Sequence, residues 1–142
     1  MKIYVDTSFL VSLYTLDVNS SIAAKVIEHS TGEHIVTVFV ELEVLNALEL
    51  RVFRKEISGQ DADAALRSFE TDLASKVFRL VATPELVFER AGQFSKQWTR
   101  RVGSRTLDLV HVAAAVELGC DIVYTFDRHQ RKLADSMGLK VS

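Results

Sequence analysis

The chain has 142 residues, a length that suits one domain and leaves little room for two. Hydrophobic residues make up 48% and charged residues 25% of it, with 6 Gly and 1 Pro, which excludes a disordered, collagen-like or low-complexity protein. Lys plus Arg number 17 against 19 Asp plus Glu, a net charge of -2, so no whole-protein basic field exists and any contact with a polyanion has to be local.

Cys120 is the single cysteine, so no intramolecular disulfide forms and a reducing compartment fits. The uncharged stretch from Thr7 to Leu16 is too short to cross a bilayer. Asp6 and Asp17 flank it where a signal peptide would carry basic residues and a cleavage site. A cytoplasmic protein with no membrane partner is expected.

Residues 2–5 (KIYV) read as a short buried strand, and from Thr7 the apolar positions Phe9, Leu10, Leu13 and Tyr14 return at helical spacing. A second helix follows over about 20–30. His34 to Thr37 reads as strand two, which leads into a long helix over 38–54 with Val40, Val44, Ala47 and Leu48 on one face. Ser58 with Asp61 makes a capping-box-like start for a helix striped with Ala62, Ala65, Leu66, Phe69 and Leu73. Residues 77–81 (VFRLV) read as strand three. Thr83 and Pro84 then read as an N-cap and first helical residue, with the helix running to about Arg100. A further helix starts near Thr106 and stops before Gly119. Residues 121–125 (DIVYT) form strand four, Asp127 caps a last helix ending at Gly138, and 139–141 (LKV) suit a fifth, edge strand.

No Pro-, Gly- or Ser-rich linker, repeat or run of five like charges interrupts this order, so residues 1–142 read as a single domain. Strands separated by helices need crossover connections. The expected fold is therefore an α/β three-layer sandwich, with a mainly parallel four- or five-stranded sheet flanked by helices. Function in such sheets gathers outside the carboxyl ends of the strands, where Asp6 follows strand one and Asp127 follows strand four.

Each acid alone has a structural explanation. Asp6 and Asp127 suit helix N-caps, and Asp108 sits in the first turn of the apolar helix TLDLVHVAAAV, where the helix dipole favours an acid. Glu41 and Glu43 begin the helix after strand two and, two residues apart, point in different directions; periodicity alone does not choose between them. Taken together, acids at two strand ends and two helix starts can converge on one crevice. Carboxylates that close cannot all remain ionised without a cation. An all-oxygen donor set selects a hard divalent ion, Mg²⁺ or Mn²⁺.

Four stretches carry a family resemblance: IYVDTSFLVSLY at 3–14, EVLNAL at 43–48, TLDLVHVAAAVELG at 106–119 and IVYTFDRHQRKLA at 122–134. In order, spacing and total length they resemble the acidic motifs of PIN-domain ribonucleases, most of all the small toxin subunits of VapBC-type toxin-antitoxin pairs. The resemblance implies an Mg²⁺- or Mn²⁺-dependent endoribonuclease with Asp6, Glu43, Asp108 and Asp127 as catalytic metal ligands, Glu43 being preferred to Glu41 by its spacing from Thr37. It implies that Thr7, Ser8 and Thr125 occupy polar positions of the family beside the acids. RNA as substrate, a cognate antitoxin covering the site and a homodimer are also implied. The charge-balanced surface departs from the pattern by leaving no obvious RNA-binding patch.

Basic residues flank two of the acids: Arg100, Arg101 and Arg105 precede Asp108, while Arg128, Arg131 and Lys132 follow Asp127. Arg105 is the foremost candidate for binding a substrate phosphate, with Thr7, Ser8 and Thr125 as further substrate-side candidates. His111, one turn after Asp108, is within reach of that acid, although a hydrogen-bonded half-buried histidine is the simpler expectation. The 4 histidines lack zinc-ligand spacing, and no serine elbow or glycine-rich phosphate loop is present. Trp98, Phe94 and Phe69 stand at helical spacing and suit core or interface. Two rival functions remain: a catalytically silent interaction module whose acids are only caps, and a haloacid-dehalogenase-like phosphatase, which needs a second Asp where this chain has Ser8.

Overall fold

The computed structural model describes residues 1–142. Five strands, β1 (Lys2–Val5), β2 (Glu33–Thr37), β3 (Arg79–Val81), β4 (Ile122–Tyr124) and β5 (Lys140–Val141), form one sheet in the order β3-β2-β1-β4-β5. Every pairing is parallel. The expected α/β sandwich is therefore present with all five strands. In β1, Ile3, Tyr4 and Val5 are all buried although successive side chains point to opposite faces. Both faces of the sheet are covered, as a parallel sheet requires.

The helices fall into two packed groups. One holds α1 (Thr7–Tyr14), α2 (Ser20–His29), α3 (Val38–Phe53) and α4 (Gly59–Ala74); the other holds α5 (Val87–Phe94), α6 (Arg100–Val102), α7 (Thr106–Glu117) and α8 (Arg128–Ser136). Val40, Val44 and Leu48 form the buried stripe of α3, and Ser58 and Asp61 complete the capping box of α4. Residues 108–115 of α7 are buried without a break, so this helix runs through the core rather than along its surface. Phe9 of α1 stacks on Phe126 at 5.3 Å between ring centroids, locking the first helix against the loop after β4.

Two expectations from the sequence need correction. Pro84 does not open a helix: its carbonyl accepts the Val87 N–H at 3.1 Å, closing a separate turn, and α5 begins at Val87 after Leu86 without any side-chain cap. The chain leaves α5 through a π-helical turn, Ser95–Thr99, before α6. Strand three also starts later than expected, at Arg79. Lys76 adopts a left-handed conformation and the Val77 N–H returns to the Asp72 carbonyl, so the first residues of VFRLV still belong to the end of α4.

Gly103 ends α6 in a left-handed conformation (φ 68°, ψ 38°) and turns the chain so that Arg105 enters α7. A Cβ there meets no atom within 4 Å. Gly103→Ala is expected to cost about 1–2 kcal/mol from backbone strain alone, read as a lower thermal midpoint. An unchanged midpoint would mean that the turn does not hold this conformation in solution.

Candidate functional site

β1 and β4 are neighbours, so the residues that follow them emerge side by side; the Asp6 N–H donates to the Tyr124 carbonyl at 3.1 Å. Asp6 caps α1, Asp108 lies in the first turn of α7, and Asp127 caps α8. Glu43 comes from the second turn of α3, whose cap is Thr37. All four acids line one open cleft of about 620 Å³, and Glu41 does not. The choice left open by periodicity therefore falls on Glu43.

Asp6 is only 2% exposed. Its Oδ1 accepts the Phe9 N–H at 2.9 Å and the Ser8 hydroxyl at 2.8 Å, and its Oδ2 accepts the Thr125 hydroxyl at 2.6 Å. Burial pushes its carboxyl above the ordinary range, and these bonds with the nearby His111 only partly offset the shift. Glu43 goes the other way: burial raises its pKa, but the His111 hydrogen bond and charge and the Thr7 hydroxyl outweigh burial and hold it low. Thr7 donates to Glu43 Oε1 at 2.7 Å, and His111 Nε2 lies 2.7 Å from the same oxygen. His111 thus serves Glu43 rather than the nearer-in-sequence Asp108. Its Nδ1 faces the hydroxyl of the fully buried Tyr4 at 2.9 Å.

Arg105 sits between the other two acids. Its own N–H and its Nε donate to Asp108 Oδ2 at 2.9 and 3.1 Å. Its Nη2 reaches Asp108 Oδ1 at 3.1 Å and Asp127 Oδ2 at 2.6 Å. The capping bonds of Asp127, from the His129 and Gln130 N–H groups, fall on Oδ1. Burial raises the Asp127 pKa, while those N–H groups and the Arg105 guanidinium bring it below its ordinary value. Arg105 itself is shifted upward by its bonds to Asp108 and Asp127.

The four residues expected on the substrate side are all bonded to the acids in this arrangement. The hydroxyl hydrogens of Thr7, Ser8 and Thr125 are donated to the acids, which leaves none to donate to a phosphate oxygen. The Arg105 guanidinium is bound by two carboxylates, although its side chain is largely exposed. Of the other cations, Arg131 donates to the Thr125 carbonyl at 3.1 Å and Arg101 lies over the Trp98 ring. Sequence reading missed Arg51, Arg54 and Gln130, which also line the cleft. Arg51 and Arg54 carried a signal, since they continue the Glu43–Ala47 face of α3 at helical spacing.

The arrangement suits a hard divalent cation by donor chemistry, because every acid presents oxygen. A stand-in is already seated there: Arg105 Nη2, a cationic group, bridges the two oxygens of Asp108 and Asp127 that the helix caps leave free. No three His, Cys, Asp or Glu side chains converge closely enough to hold an ion by themselves in this arrangement. Mg²⁺ asks for less, since it is usually held by one or two carboxylates with waters in the remaining positions.

An all-parallel α/β sandwich with acids at the carboxyl edge of its two central strands defines a class of proteins whose chemistry lies at that edge. The PIN domain family model matches residues 3–136, and the chain belongs to that family. Among solved structures, it resembles Mycobacterium tuberculosis VapC20, described as a sarcin-ricin loop cleaving toxin, at 21% identity, TM-score 0.70, covering 92% of this chain and 93% of that one. VapBC-1 from nontypeable Haemophilus influenzae is similar at 14% identity and TM-score 0.67, covering 100% of this chain and 97% of that one. FitAcB from Neisseria gonorrhoeae matches at 16% identity and TM-score 0.65, over 98% of this chain and 95% of that one. No curated protein matches the chain in sequence. Family membership removes the phosphatase alternative, and Ser8, where that family needs a second acid, donates to Asp6. No helix is long and apolar enough to cross a membrane.

Proposed function

We propose that this chain is a divalent-metal-dependent endoribonuclease and the toxin of a toxin-antitoxin pair. The observation that carries the reading is Glu43. Asp6, Asp108 and Asp127 can each be explained as groups that satisfy the start of a helix, but Glu43 satisfies none; it is nevertheless held in the cleft with them by Thr7 and His111. Asp6, Glu43, Asp108 and Asp127 would hold Mg²⁺ or Mn²⁺. Such an ion, when bound, supplies activation of water and neutralisation of phosphate charge. The chain's own residues supply orientation: Ser8 and Thr125 fix the Asp6 carboxylate, and Thr7 and His111 fix Glu43. Arg105, which lines the cleft with a largely exposed side chain, would meet a substrate phosphate once it lets go of the acids.

The similarity to VapBC and FitAB assemblies supports an antitoxin as partner, and the resemblance to the toxin subunits supports a homodimer. A reducing, cytoplasmic setting fits Cys120, whose thiol is pushed up to about 11 by burial and so remains unreactive. A second reading, a silent interaction module, rests on the fact that Asp6 and Asp127 do cap helices. Cleavage of single-stranded RNA in Mn²⁺ or Mg²⁺, abolished by EDTA and restored by added metal, is the expected result. Undiminished cleavage in EDTA would exclude metal dependence. No cleavage together with no divalent-ion binding by titration calorimetry would favour the module.

A further inference from the structure

We infer that Arg105 is a resident cation of the acidic site, which a divalent ion has to displace and which, once displaced, is free to take a substrate phosphate. The inference rests on the metal-site reading above and concerns how that site is regulated by its own chain.

Two of the oxygens serve the helix starts: Asp108 Oδ2 accepts the Arg105 backbone N–H, and also the Arg105 Nε at 3.1 Å, while Asp127 Oδ1 accepts two N–H groups of α8. The oxygens left over are Asp108 Oδ1 and Asp127 Oδ2, and a single atom, Arg105 Nη2, holds both. That bridge is the place a metal ion would take to use the same two oxygens. A guanidinium and a divalent ion repel strongly at such separations, so the two cannot share them.

Arg105 is built to leave. Its side chain is 55% exposed, and its backbone is extended rather than helical, two residues after the left-handed Gly103. Its backbone N–H keeps its bond to Asp108 whatever the guanidinium does, so release of the side chain does not undo the start of α7. In the absence of metal the bridge neutralises two carboxylates that otherwise repel one another. With metal bound, the same side chain remains beside the cleft with its donors free.

Competition between two cations for two oxygens lowers the apparent affinity of the one added from solution. Removing the guanidinium is therefore expected to tighten metal binding. Because an ion pair this exposed contributes modestly, the expected gain is about two- to fivefold in affinity. The bridge also stabilises the metal-free chain, so Arg105→Ala is expected to melt lower than the parent in EDTA and to regain more in Mn²⁺.

The test is calorimetric titration of Mn²⁺ alone into the parent chain, Arg105→Ala and Arg105→Lys, alongside thermal melts in EDTA and in Mn²⁺. Tighter Mn²⁺ binding by the Ala variant, with Lys between it and the parent, is the expected result. Equal or weaker binding by the Ala variant, when the parent binds measurably, overturns the inference and leaves the metal site standing. If the Ala variant does not fold, the Lys variant decides: tighter than the parent supports displacement, equal or weaker overturns it. A parent chain that binds no Mn²⁺ overturns the metal-site reading itself, and this inference with it.

Discussion

Asp6→Asn is expected to abolish RNA cleavage while leaving the metal-free protein at least as stable as the parent. Most losses of activity by substitution in a buried site come with a loss of fold, so the two effects in opposite directions are the informative part. Burial pushes the Asp6 carboxyl above its ordinary value of 3.8, which means the folded chain holds its charge less well than the unfolded one. As pH rises above 3.8, the unfolded state gives up its proton first. Between the two pKa values the folded state binds more protons, so stability is lost with rising pH across that window and stays lost above it. Asn carries no charge and cannot lose stability this way, yet its Oδ1 still accepts the Phe9 N–H that Asp6 caps. The melting difference between variant and parent in EDTA should therefore move in favour of Asn as pH is raised from about 4 towards neutrality, and Mn²⁺ should close the gap. Glu43 and Asp127 are shifted downward and add stability that is fully present above their unfolded pKa values and lost as pH falls through the folded ones, but they are common to both proteins and drop out of the difference. Asp6→Ala serves as the control for the cap: it loses the Phe9 bond and is expected to cost about 0.5–2 kcal/mol. Retained cleavage by Asp6→Asn, or a pH dependence identical to the parent, would make Asp6 a cap and nothing more.

How far the sequence carries can be followed residue by residue. β1 was readable because Ile3, Tyr4 and Val5 form an uninterrupted apolar run, which only a strand covered on both faces requires. α3 was readable because Val40, Val44 and Leu48 recur every fourth residue. Such periodicity fixes the buried face of a helix but not what its flanks meet. The choice between Glu41 and Glu43 therefore needed the crossing of α3 over α1, since Thr7 of α1 donates to Glu43. Thr83-Pro84 misled for a local reason: a proline suited to a helix start also suits the tight turn that precedes one, and the first i→i−4 bond forms only at Arg90. The π-helical turn at Ser95–Thr99 has no composition of its own to announce it. The position of Arg105 before α7 marks it as a cation near the site, but its attachment to Asp127, 22 residues away, depends on α7 and α8 starting at the same sheet edge. Likewise His111 is three residues from Asp108, yet its bonds go to Tyr4 and Glu43, which lie 107 and 68 positions away in the chain.

His111→Leu is expected to weaken Mn²⁺ binding by about 10- to 100-fold, the usual effect of removing a group that orients a metal-binding side chain. His111 Nδ1 faces the hydroxyl of Tyr4 at 2.9 Å, a contact that holds the plane of the ring. Its Nε2 lies 2.7 Å from Glu43 Oε1 and, because a carboxylate oxygen only accepts, Nε2 is the donor of that bond. Thr7 donates to the same oxygen, so both bonds turn Oε1 inward and leave Oε2 for the cleft. His111 is 4% exposed and Tyr4 is fully buried, so no water replaces the ring when it is removed. Leucine fills the space but takes away the ring nitrogen that the Tyr4 hydroxyl faces, at a cost of about 1–3 kcal/mol in stability. His111→Gln separates the two consequences. Its amide can donate to Glu43 and is expected to restore much of the Mn²⁺ affinity, even where the tyrosine bond is poorly replaced and the thermal midpoint stays low. Calorimetric titrations and melts on both variants check this, and a Leu variant that binds Mn²⁺ as the parent does would show that Glu43 holds its orientation without His111.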